Sequence, residues 1–361
     1  MSLEDGYTPQ ARRRGRGALT NRAGRFEAYL RAPVDDGWPQ GEAPPPLRTE
    51  VAEERPRSVI TRNSSPDLSF DRSINPYRGC EHGCVYCFAR PSHAWLGLSP
   101  GLDFETRLIA RPDAPEVLAR ELAKARYRPA VIAIGTNTDP YQPIEREYGI
   151  MRRLLEVLRD HRHPVAVVTK GTLIERDADI LGEMGRMGLA RVGISVTTLD
   201  PKVARAMEPR VPHPERRLQT IRALTDAGCP VRVMASPVIP ALTDHELERI
   251  LEAGAEAGAV AASSILLRLP AEVSPLFREW VADAFPDRAA RIMGRVRELH
   301  GGRDYDPAFG KRMRGEGPFA ELFRHRFKIA LKRLGLVEVL TPLRTDLFAV
   351  PPRAGDQLEL F

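Results

Sequence analysis

From residue 70 onward, short apolar runs rich in β-branched residues alternate with longer amphipathic stretches. Such runs are typical of strands that are buried on both faces of a parallel sheet. The pattern predicts six strands, at residues 73–77, 130–134, 165–169, 192–196, 231–234 and 265–269. The later strands recur at intervals of roughly 30 to 40 residues, which is the length of a strand with its crossover helix. We therefore expect six βα units.

The stretches between the predicted strands have the pattern of amphipathic helices. Ile150, Leu154 and Leu158 share one helical face, and Asp113 with Glu116 has the spacing of a capping box. Right-handed crossovers between such units curl the sheet into a complete or partial α/β barrel. Because ligands of these sheets bind at the carboxyl ends of the strands, we expect the chemistry at that edge.

Composition divides the chain into four parts. Residues 1–60 are rich in Arg, Pro and Gly, so we expect a largely irregular segment that buries little surface. Its basic run, residues 12–16, either contacts phosphates or is a solvated charged tail. Residues 61–270 are expected to form the barrel, 271–340 a helical cap that packs on it, and 341–361 a tail.

Net charge and hydropathy indicate which partners and which cellular location to expect. The 361 residues carry a net charge of +6 and a pI near 9.3, which favours an anionic partner such as nucleic acid, although many basic proteins bind none. No apolar run approaches the length of a membrane span, and the first 17 residues lack the apolar core of a leader. We therefore expect a cytoplasmic protein with no membrane partner.

Three of the four cysteines, Cys80, Cys84 and Cys87, lie within eight residues. A zinc site normally brings a second pair of Cys or His, and a disulfide framework belongs to short secreted chains. The triplet instead favours one iron–sulfur cluster with one iron left open, because Cys ligation of all four irons of a cubane needs a fourth Cys. Cys229, which precedes the fifth predicted strand, is expected to be a buried and inert thiol.

The spacing Cys80-x3-Cys84-x-Tyr86-Cys87 resembles the signature of the radical S-adenosylmethionine (radical SAM) enzymes, in which that cofactor closes the open iron. The wider pattern, from Asn-Pro-Tyr-Arg-Gly at 75–79 to the segment 135–145, resembles the subgroup that includes spore photoproduct lyase. The resemblance implies a partial six-stranded barrel, a 4Fe-4S cluster held by the three cysteines, S-adenosyl-L-methionine, and an electron donor such as flavodoxin or ferredoxin.

The same resemblance assigns residues to S-adenosylmethionine. Thr138 and Asp139 occupy the position that contacts the methionyl ammonium, and Lys170 and Ser195 match the positions that bind its carboxylate. Tyr86 would shield the cluster and flank the adenine. From the residues alone, Thr138 and Asp139 also fit turn and cap chemistry. Lys170 and Ser195 also fit a snorkelling lysine and a buried strand serine.

A proline-stiffened segment after the fourth predicted strand carries further charge. Glu208 is expected to accept a hydrogen bond from the ribose or amino group of the cofactor. Arg210 is expected to bind a phosphate or carboxylate of the substrate, in the bidentate manner that guanidinium favours. Arg216 and Arg217 fit the solvated first turn of a helix better.

Three neighbours of the cysteines have open roles. His82 is expected to be a loop residue rather than a ligand. Phe88 either packs in the interior or flanks the adenine. Arg90 is either a charge partner of the site or a surface residue.

The resemblance implies reductive cleavage of S-adenosylmethionine to a 5′-deoxyadenosyl radical that abstracts hydrogen from a substrate. The substrate is either nucleic acid, or a small molecule or peptide. A non-catalytic electron-transfer or redox-sensing protein is the alternative from another class. Spore photoproduct lyase has a hydrogen-donating cysteine near the place of Thr136. Since a hydroxyl donates hydrogen less readily than a thiol, thymine-dimer reversal by that route is not expected.

Overall fold

The computed structural model describes Thr8, Gln10 and residues 13–27 and 45–352. Arg12 of the basic run, and residues 353–361 of the expected tail, lie outside these ranges. Within them, no helix combines the length and the apolar character needed to cross a membrane.

Ten strands and eleven α-helices form within the described ranges. The strands are β1 Glu50–Glu53, β2 Thr61–Arg62, β3 Arg72–Ile74, β4 Tyr77–Arg78, β5 Arg107–Ala110, β6 Ile132–Ile134, β7 Val165–Thr169, β8 Ala190–Ser195, β9 Val231–Val238 and β10 Ala261–Leu266. The helices are α1 Asp103–Thr106, α2 Ala114–Leu122, α3 Glu145–Tyr148, α4 Ile150–Asp160, α5 Ala178–Arg186, α6 Pro201–Met207, α7 Pro214–Asp226, α8 Leu247–Glu256, α9 Val273–Ala284, α10 Pro286–Leu299 and α11 Gly317–Leu334.

The main sheet has seven strands in the order β10-β9-β8-β7-β6-β3-β2. Six of them, β3 and β6 to β10, are parallel neighbours in chain order. This arrangement confirms the predicted partial βα barrel. The seventh strand, β2, adds antiparallel to β3 at the edge, and β1, β5 and β4 form a separate small sheet.

Several strands and one cap differ from the predicted positions, and β9 runs on to Val238 beyond its predicted end at residue 234. The last strand spans Ala261–Leu266 instead of 265–269, because small Ala and Ser residues at its start lack the bulky pattern that marked the other strands. The first strand ends at Ile74, since Pro76 has no N–H to continue a ladder. Asp113 precedes α2, but its side chain accepts no capping hydrogen bond. The predicted capping box is therefore wrong.

The N-terminal segment buries more surface than its composition suggested. Residues 16–20 are buried, and the Arg16 guanidinium donates to the carbonyl oxygen of Glu105 at 2.8 Å. β1 pairs in parallel with β5. The expectation that this segment buries little surface is wrong for residues 16–20, because tertiary contacts supply the partners that the local sequence lacks.

The C-terminal residues cross the amino ends of the parallel strands. Val337 exchanges backbone hydrogen bonds with the start of β10, at Val260 and Ala262. Further on, the Arg344 N–H donates to the Gly188 carbonyl at 2.9 Å, just before β8. The end of the sheet opposite the catalytic edge is therefore covered by residues 336–349.

An aromatic group anchors this C-terminal segment. The Phe348 ring lies 5.5 Å from the ring of Tyr127 and 5.6 Å from that of His163. His163 is fully buried, and its Nε2 atom lies 2.7 Å from the Tyr127 hydroxyl oxygen. Burial lowers the pKa of His163 to about 4, so the imidazole is neutral in the folded protein at neutral pH.

We predict that His163 contributes to a loss of stability between pH 6.5 and pH 4. In this window the unfolded chain, with a histidine pKa near 6.5, binds a proton that the folded chain does not. Stability is therefore highest above the window and falls by on the order of 3 kcal/mol across it. The thermal midpoint of the wild type should drop more steeply with falling pH than that of His163→Gln. Parallel curves for the two proteins would contradict this assignment.

Candidate active site

The three clustered cysteines lie on one loop, residues 80–87, which we call the cysteine loop. Cys80 and Cys84 are buried, Cys87 is partly buried, and all three thiols are free. Burial raises the pKa of Cys80 well above its usual value, and the nearby charges of Asp139, Cys84 and Cys87 raise it further. The three sulfur atoms are thus close enough to influence one another, and their deprotonation needs positive charge nearby.

No three His, Cys, Asp or Glu side chains in the described ranges are arranged to share one metal ion. A mononuclear zinc site requires ligands that converge on one point. In a cubane each thiolate binds a different iron, and soft thiolates are the ligands that select such clusters.

The segment that follows β6 binds the stem of the cysteine loop through its polar side chains. The Thr138 hydroxyl donates to the Tyr77 carbonyl at 2.7 Å. The Gln142 amide accepts from the Glu81 N–H at 2.9 Å and donates to the Gly79 carbonyl at 3.1 Å. One amide side chain thus fixes the backbone on both sides of Cys80. Gln142 carries no sequence signal beyond its place in the segment 135–145, and its role was not predicted.

Asp139 connects the cysteine loop to the next strand end. Its carboxylate accepts from the Thr169 hydroxyl at 2.5 Å and from the N–H groups of Lys170 and Tyr141 at 2.7 and 2.9 Å. His82 Nδ1 lies 3.3 Å from the same carboxylate. Burial raises the pKa of Asp139, but His82, Thr169 and Lys170 outweigh it and lower that pKa to about 2. Three protein donors thus occupy most of the roughly four acceptor sites of this carboxylate.

The segment after α6 supports the cysteine loop from another side. The Val85 N–H donates to the Met207 carbonyl at 3.1 Å, and the Arg210 N–H donates to the His82 carbonyl at 3.3 Å. The Arg210 guanidinium lies 3.2 Å from the Glu81 carboxylate. Arg210 lies beside the cysteine loop as expected, but its charge is already paired within the protein.

Glu208 holds Tyr86 in place. Its carboxylate accepts hydrogen bonds from the Tyr86 hydroxyl and, at 2.9 Å, from the Thr197 hydroxyl. It also forms a 3.0 Å ion pair with Arg217, whose side chain is 1% exposed. Burial raises the pKa of Glu208, but the charges of Arg217 and Lys170 outweigh it and lower that pKa. Glu208 is therefore a buried anion.

The expectation that Arg217 is solvated is wrong. Arg216, the preceding residue, is exposed and pairs with Glu175 at 2.6 Å. Arg217 lies on the opposite face of the first turn of α7, where it reaches Glu208 and donates to the Ser195 carbonyl at 2.9 Å. Helical geometry turns these adjacent side chains to different faces, and the sequence offered no sign of which one faces inward.

Lys170 and Ser195 lie at the ends of neighbouring strands. Ser195 is the last residue of β8 and is buried, and Lys170 directly follows β7. The Lys170 ammonium lies 5.8 Å from the centroid of the Tyr86 ring. It makes no ion pair or hydrogen bond with any residue that the structure describes. Burial lowers its pKa, but Cys84, Glu208 and Asp139 raise it more, so Lys170 is a cation beside the thiols.

Arg90 is a fully buried partner of the cysteine loop. It donates to the Cys84 carbonyl at 2.9 Å and to the Glu105 carboxylate at 2.5 Å. Glu105 also accepts from the Gly17 and Ala18 N–H groups at 2.8 and 2.9 Å. A Cβ atom at Gly17 would lie 1.8 Å from the Gly83 carbonyl oxygen. Residues 16–18 therefore pack directly on the loop, a contact that nothing in the sequence predicted.

The structure also places three further residues that the sequence analysis considered, namely His82, Phe88 and Cys229. His82 is buried in the loop against Asp139. Phe88 does not pack in the interior, since its side chain is 45% exposed. Cys229 is buried just before β9, and burial raises its pKa to about 12, which fits the inert thiol predicted.

Comparisons with known proteins identify the class. Residues 74–254 match the family model of the radical SAM superfamily. The chain is 35% identical to the uncharacterized protein Rv2578c of Mycobacterium tuberculosis over 291 residues, which cover 80% of this chain and 82% of that protein. It is 26% identical to an uncharacterized protein of Methanocaldococcus jannaschii over 199 residues, 55% of this chain and 71% of that one. The chain belongs to the radical SAM superfamily and is a radical SAM enzyme.

Solved structures share this fold. Spore photoproduct lyase in complex with a dinucleoside spore photoproduct superposes with a TM-score of 0.57 at 15% identity, over 80% of this chain and 81% of that one. The form that also contains bound S-adenosylmethionine has the same TM-score at 14% identity. The similarity covers the barrel and establishes a common architecture.

The residues of this chain fit the cofactors that the family implies. Three free thiols on one loop supply a donor set for an iron–sulfur cluster. Beside them, the Lys170 ammonium is free to bind an anion. Two polar side-chain atoms near strand ends, Asn75 Oδ1 after β3 and Ser236 Oγ in β9, are buried without a hydrogen-bond partner. Because buried polar groups normally have partners, these atoms fit a polar ligand.

We predict that Glu208 and Arg217 are energetically coupled, so that removing one of the two charges destabilises the folded protein more than removing both. Glu208→Leu leaves a buried guanidinium without its anion and should lower the free energy of unfolding by about 3–5 kcal/mol. The double variant Glu208→Leu, Arg217→Met removes both charges and should recover much of that loss. Glu175→Gln, at the exposed pair with Arg216, is the control and should cost less than about 1 kcal/mol. Additive losses in the double variant would contradict the coupling.

Proposed function

We propose that Cys80, Cys84 and Cys87 bind a 4Fe-4S cluster and that S-adenosylmethionine binds beside it at the carboxyl ends of the strands. When bound, the reduced cluster would supply one electron to S-adenosylmethionine, which would yield methionine and a 5′-deoxyadenosyl radical that takes a hydrogen atom from the substrate. The observation that carries the proposal is the set of three free thiols beside an unpaired cation, Lys170, on a chain that belongs to the radical SAM superfamily. The free thiols also suit a reducing, cytoplasmic setting, with flavodoxin or ferredoxin as the electron donor.

Lys170 and Ser195 are the proposed ligands of the methionyl carboxylate. Both lie at the carboxyl edge of the sheet, and the Lys170 ammonium has three N–H donors for an anion. An unpaired ammonium in a largely buried position is costly, which supports a ligand there.

Thr138 and Asp139 are the proposed neighbours of the methionyl ammonium. Thr138 already donates to the Tyr77 carbonyl, and protein donors surround Asp139. Asp139 therefore supports this ammonium mainly through its negative charge, and acts as a positioning residue for His82. The unpartnered Asn75 Oδ1 atom is a further acceptor near the end of the first parallel strand.

Tyr86 and Glu208 keep the pocket ordered and dry. The hydrogen bond to Glu208 fixes the Tyr86 ring next to Cys87, where it can flank the adenine. Val85 and Tyr86 belong to an apolar cluster with Phe277 and Trp280 of the helical cap. Such packing excludes water, which would otherwise compete for a reactive intermediate. Tyr86, Thr197 and Arg217 already use part of the hydrogen-bonding capacity of the Glu208 carboxylate. Glu208 can accept from the ribose or amino group of the cofactor only through lone pairs that these partners leave free.

For the substrate we propose nucleic acid. The net charge of +6 and a pI near 9.3 suit a polyanion. The fold is shared with spore photoproduct lyase, whose structures contain a dinucleoside spore photoproduct. Because Thr136 is partly buried and bears a hydroxyl in place of a thiol, the proposal does not extend to the reaction of that enzyme.

Substitution of the cysteines tests the cluster. Cys84→Ala should reduce the iron and sulfide content and the cluster absorbance of the anaerobically reconstituted protein to background, since a thiolate ligand is lost. Formation of 5′-deoxyadenosine from S-adenosylmethionine with dithionite should stop. Cys229→Ala removes a thiol outside the loop and should retain both properties. A full cluster in Cys84→Ala, or no product from the reconstituted wild type, would refute the proposal.

Substitution of Lys170 tests the cofactor site. Lys170→Met keeps the length and apolar stem of the side chain but removes its charge. It should weaken S-adenosylmethionine binding by roughly 10- to 100-fold, the value of a hydrogen bond to a charged group. Anaerobic equilibrium dialysis with labelled cofactor measures this, and iron content reports whether the cluster is intact. The exposed Lys202→Met is the matched control. Equal affinity in both variants would exclude Lys170 from the site.

A further inference from the structure

Arg268 is an unpaired cation at the catalytic edge of the barrel. It follows β10 by two residues, and its guanidinium lies 4.4 Å from the centroid of the Phe88 ring. Phe88 is the residue after Cys87. Arg268 makes no ion pair or hydrogen bond with any part of the chain that the structure describes. Burial lowers the pKa of its guanidinium, and the charges of Tyr305, Asp67 and Cys87 oppose that shift. A free guanidinium and an exposed ring therefore lie beside the cysteine loop.

Three other arginines around the cysteine loop are already paired with carboxylates. Arg90 pairs with Glu105, Arg210 with Glu81 and Arg217 with Glu208. Arg210, which the sequence suggested as the substrate anchor, thus carries a carboxylate partner. Of these arginines and Arg268, only Arg268 has its charge available for a substrate.

A basic loop, residues 308–315, extends this surface. Arg312 lies 4.7 Å from the centroid of the Phe309 ring, and Phe309 is 58% exposed. Two adjacent residues of the loop contact the two sides of the opening in the barrel. The Met313 carbonyl accepts from the Leu266 N–H of β10 at 3.3 Å, and the Arg312 guanidinium donates to Asp67, between β2 and β3, at 2.6 Å. The two exposed rings are therefore Phe88 and Phe309, and each has an arginine side chain over one face.

An exposed phenylalanine beside an arginine is chemically suited to unpaired bases. Every base offers a flat face that stacks on an aromatic ring, and guanidinium groups contribute both stacking and phosphate contacts. In a duplex the base faces are covered by their neighbours, so these rings would find no partner there. An acidic peptide would use the cations but would have no use for the two rings.

We infer that Phe88, Arg268 and the loop 308–315 form a platform that binds single-stranded nucleic acid, or a base extruded from a duplex, at the mouth of the barrel. A base stacks on Phe88 and a phosphate binds Arg268, while the exposed Phe309 ring of the loop 308–315 stacks a neighbouring base. The charges of Arg312 and Lys311 in that loop are paired with Asp67 and Glu316, so the phosphate contact is assigned to Arg268. The inference rests on the proposed function and names the residues that hold its substrate next to the cysteine loop.

The test uses the reconstituted holoenzyme with S-adenosylmethionine and short fluorescein-labelled single strands of DNA and RNA, with polarisation measured over a salt series. Phe88→Leu should weaken binding roughly tenfold, by loss of one base stack, with an unchanged salt slope. Arg268→Gln should also weaken binding, and should reduce the slope of log affinity against log salt by about 0.7, the value of one phosphate contact on a single strand. The two variants thus separate stacking from charge.

Conservative variants guard against a purely structural effect. Phe88→Trp should keep the stack, and Arg268→Lys should keep the salt slope. The control Arg333→Gln removes the same charge near the end of α11, close to where Val337 pairs with the start of β10. It should bind as the wild type does. Thermal midpoint and iron content confirm that each variant is folded and loaded.

Wild-type affinity and salt slope in both Phe88→Leu and Arg268→Gln would overturn the platform, as would the absence of single-strand binding. Arg268-dependent binding of a polyglutamate peptide instead of nucleic acid would also overturn it, and would indicate a protein partner. In each of these cases, formation of 5′-deoxyadenosine would still support the proposed radical chemistry. Single-strand binding without that product would support the platform and refute the proposed function.

Discussion

The attachment of the segment after β6 to the cysteine loop is the contact on which the site depends. Three thiols on one short loop cannot keep their mutual positions by local structure, because the loop turns through Gly79 and Gly83 at positive φ of 76° and 67°. Thr138, Asp139 and Gln142 bind this loop and its stem. Each bond contributes only about 1 kcal/mol net, so their joint effect is to fix geometry. The barrel thereby sets the positions of the thiols.

Ion pairs around the cysteine loop also fix its geometry. Three pairs of opposite charge support it, namely Arg90 with Glu105, Arg210 with Glu81, and Arg217 with Glu208. Buried ion pairs roughly break even against apolar packing in their effect on stability. Here they hold loop atoms at defined positions while neutralising one another. Lys170 and Arg268, both partly buried, have no carboxylate partner among the described residues, and they are the cations to which we assign ligands.

The repeating parts of this structure could be predicted from sequence, and the pairwise contacts could not. Regular spacing of apolar runs was sufficient for the six parallel strands, and Cys80, Cys84 and Cys87 were evident from their spacing. Glu105 and Gly17 lie 88 residues apart, and no local pattern joins them. The orientation of Arg217 depends on one helical turn, and β10 begins with small residues that carry no strand signal. Each of these three features depends on residues that are distant in the sequence, so a local pattern could not predict it.

The open side of the barrel is where the proposed substrate contacts lie. Residues 336–349 contact the amino ends of the strands, and residues 16–18 and helices α9 and α10 pack on the cysteine loop. These contacts leave the carboxyl edge as the side to which we assign the substrate. There the loop 308–315 joins β10 to the β2–β3 turn, so the gap between the first and last strands is bridged by a basic segment. A six-stranded barrel leaves that gap by construction, and in this chain the exposed Phe309 ring lies on the bridge, while Phe88 and the unpaired Arg268 lie beside the cysteine loop.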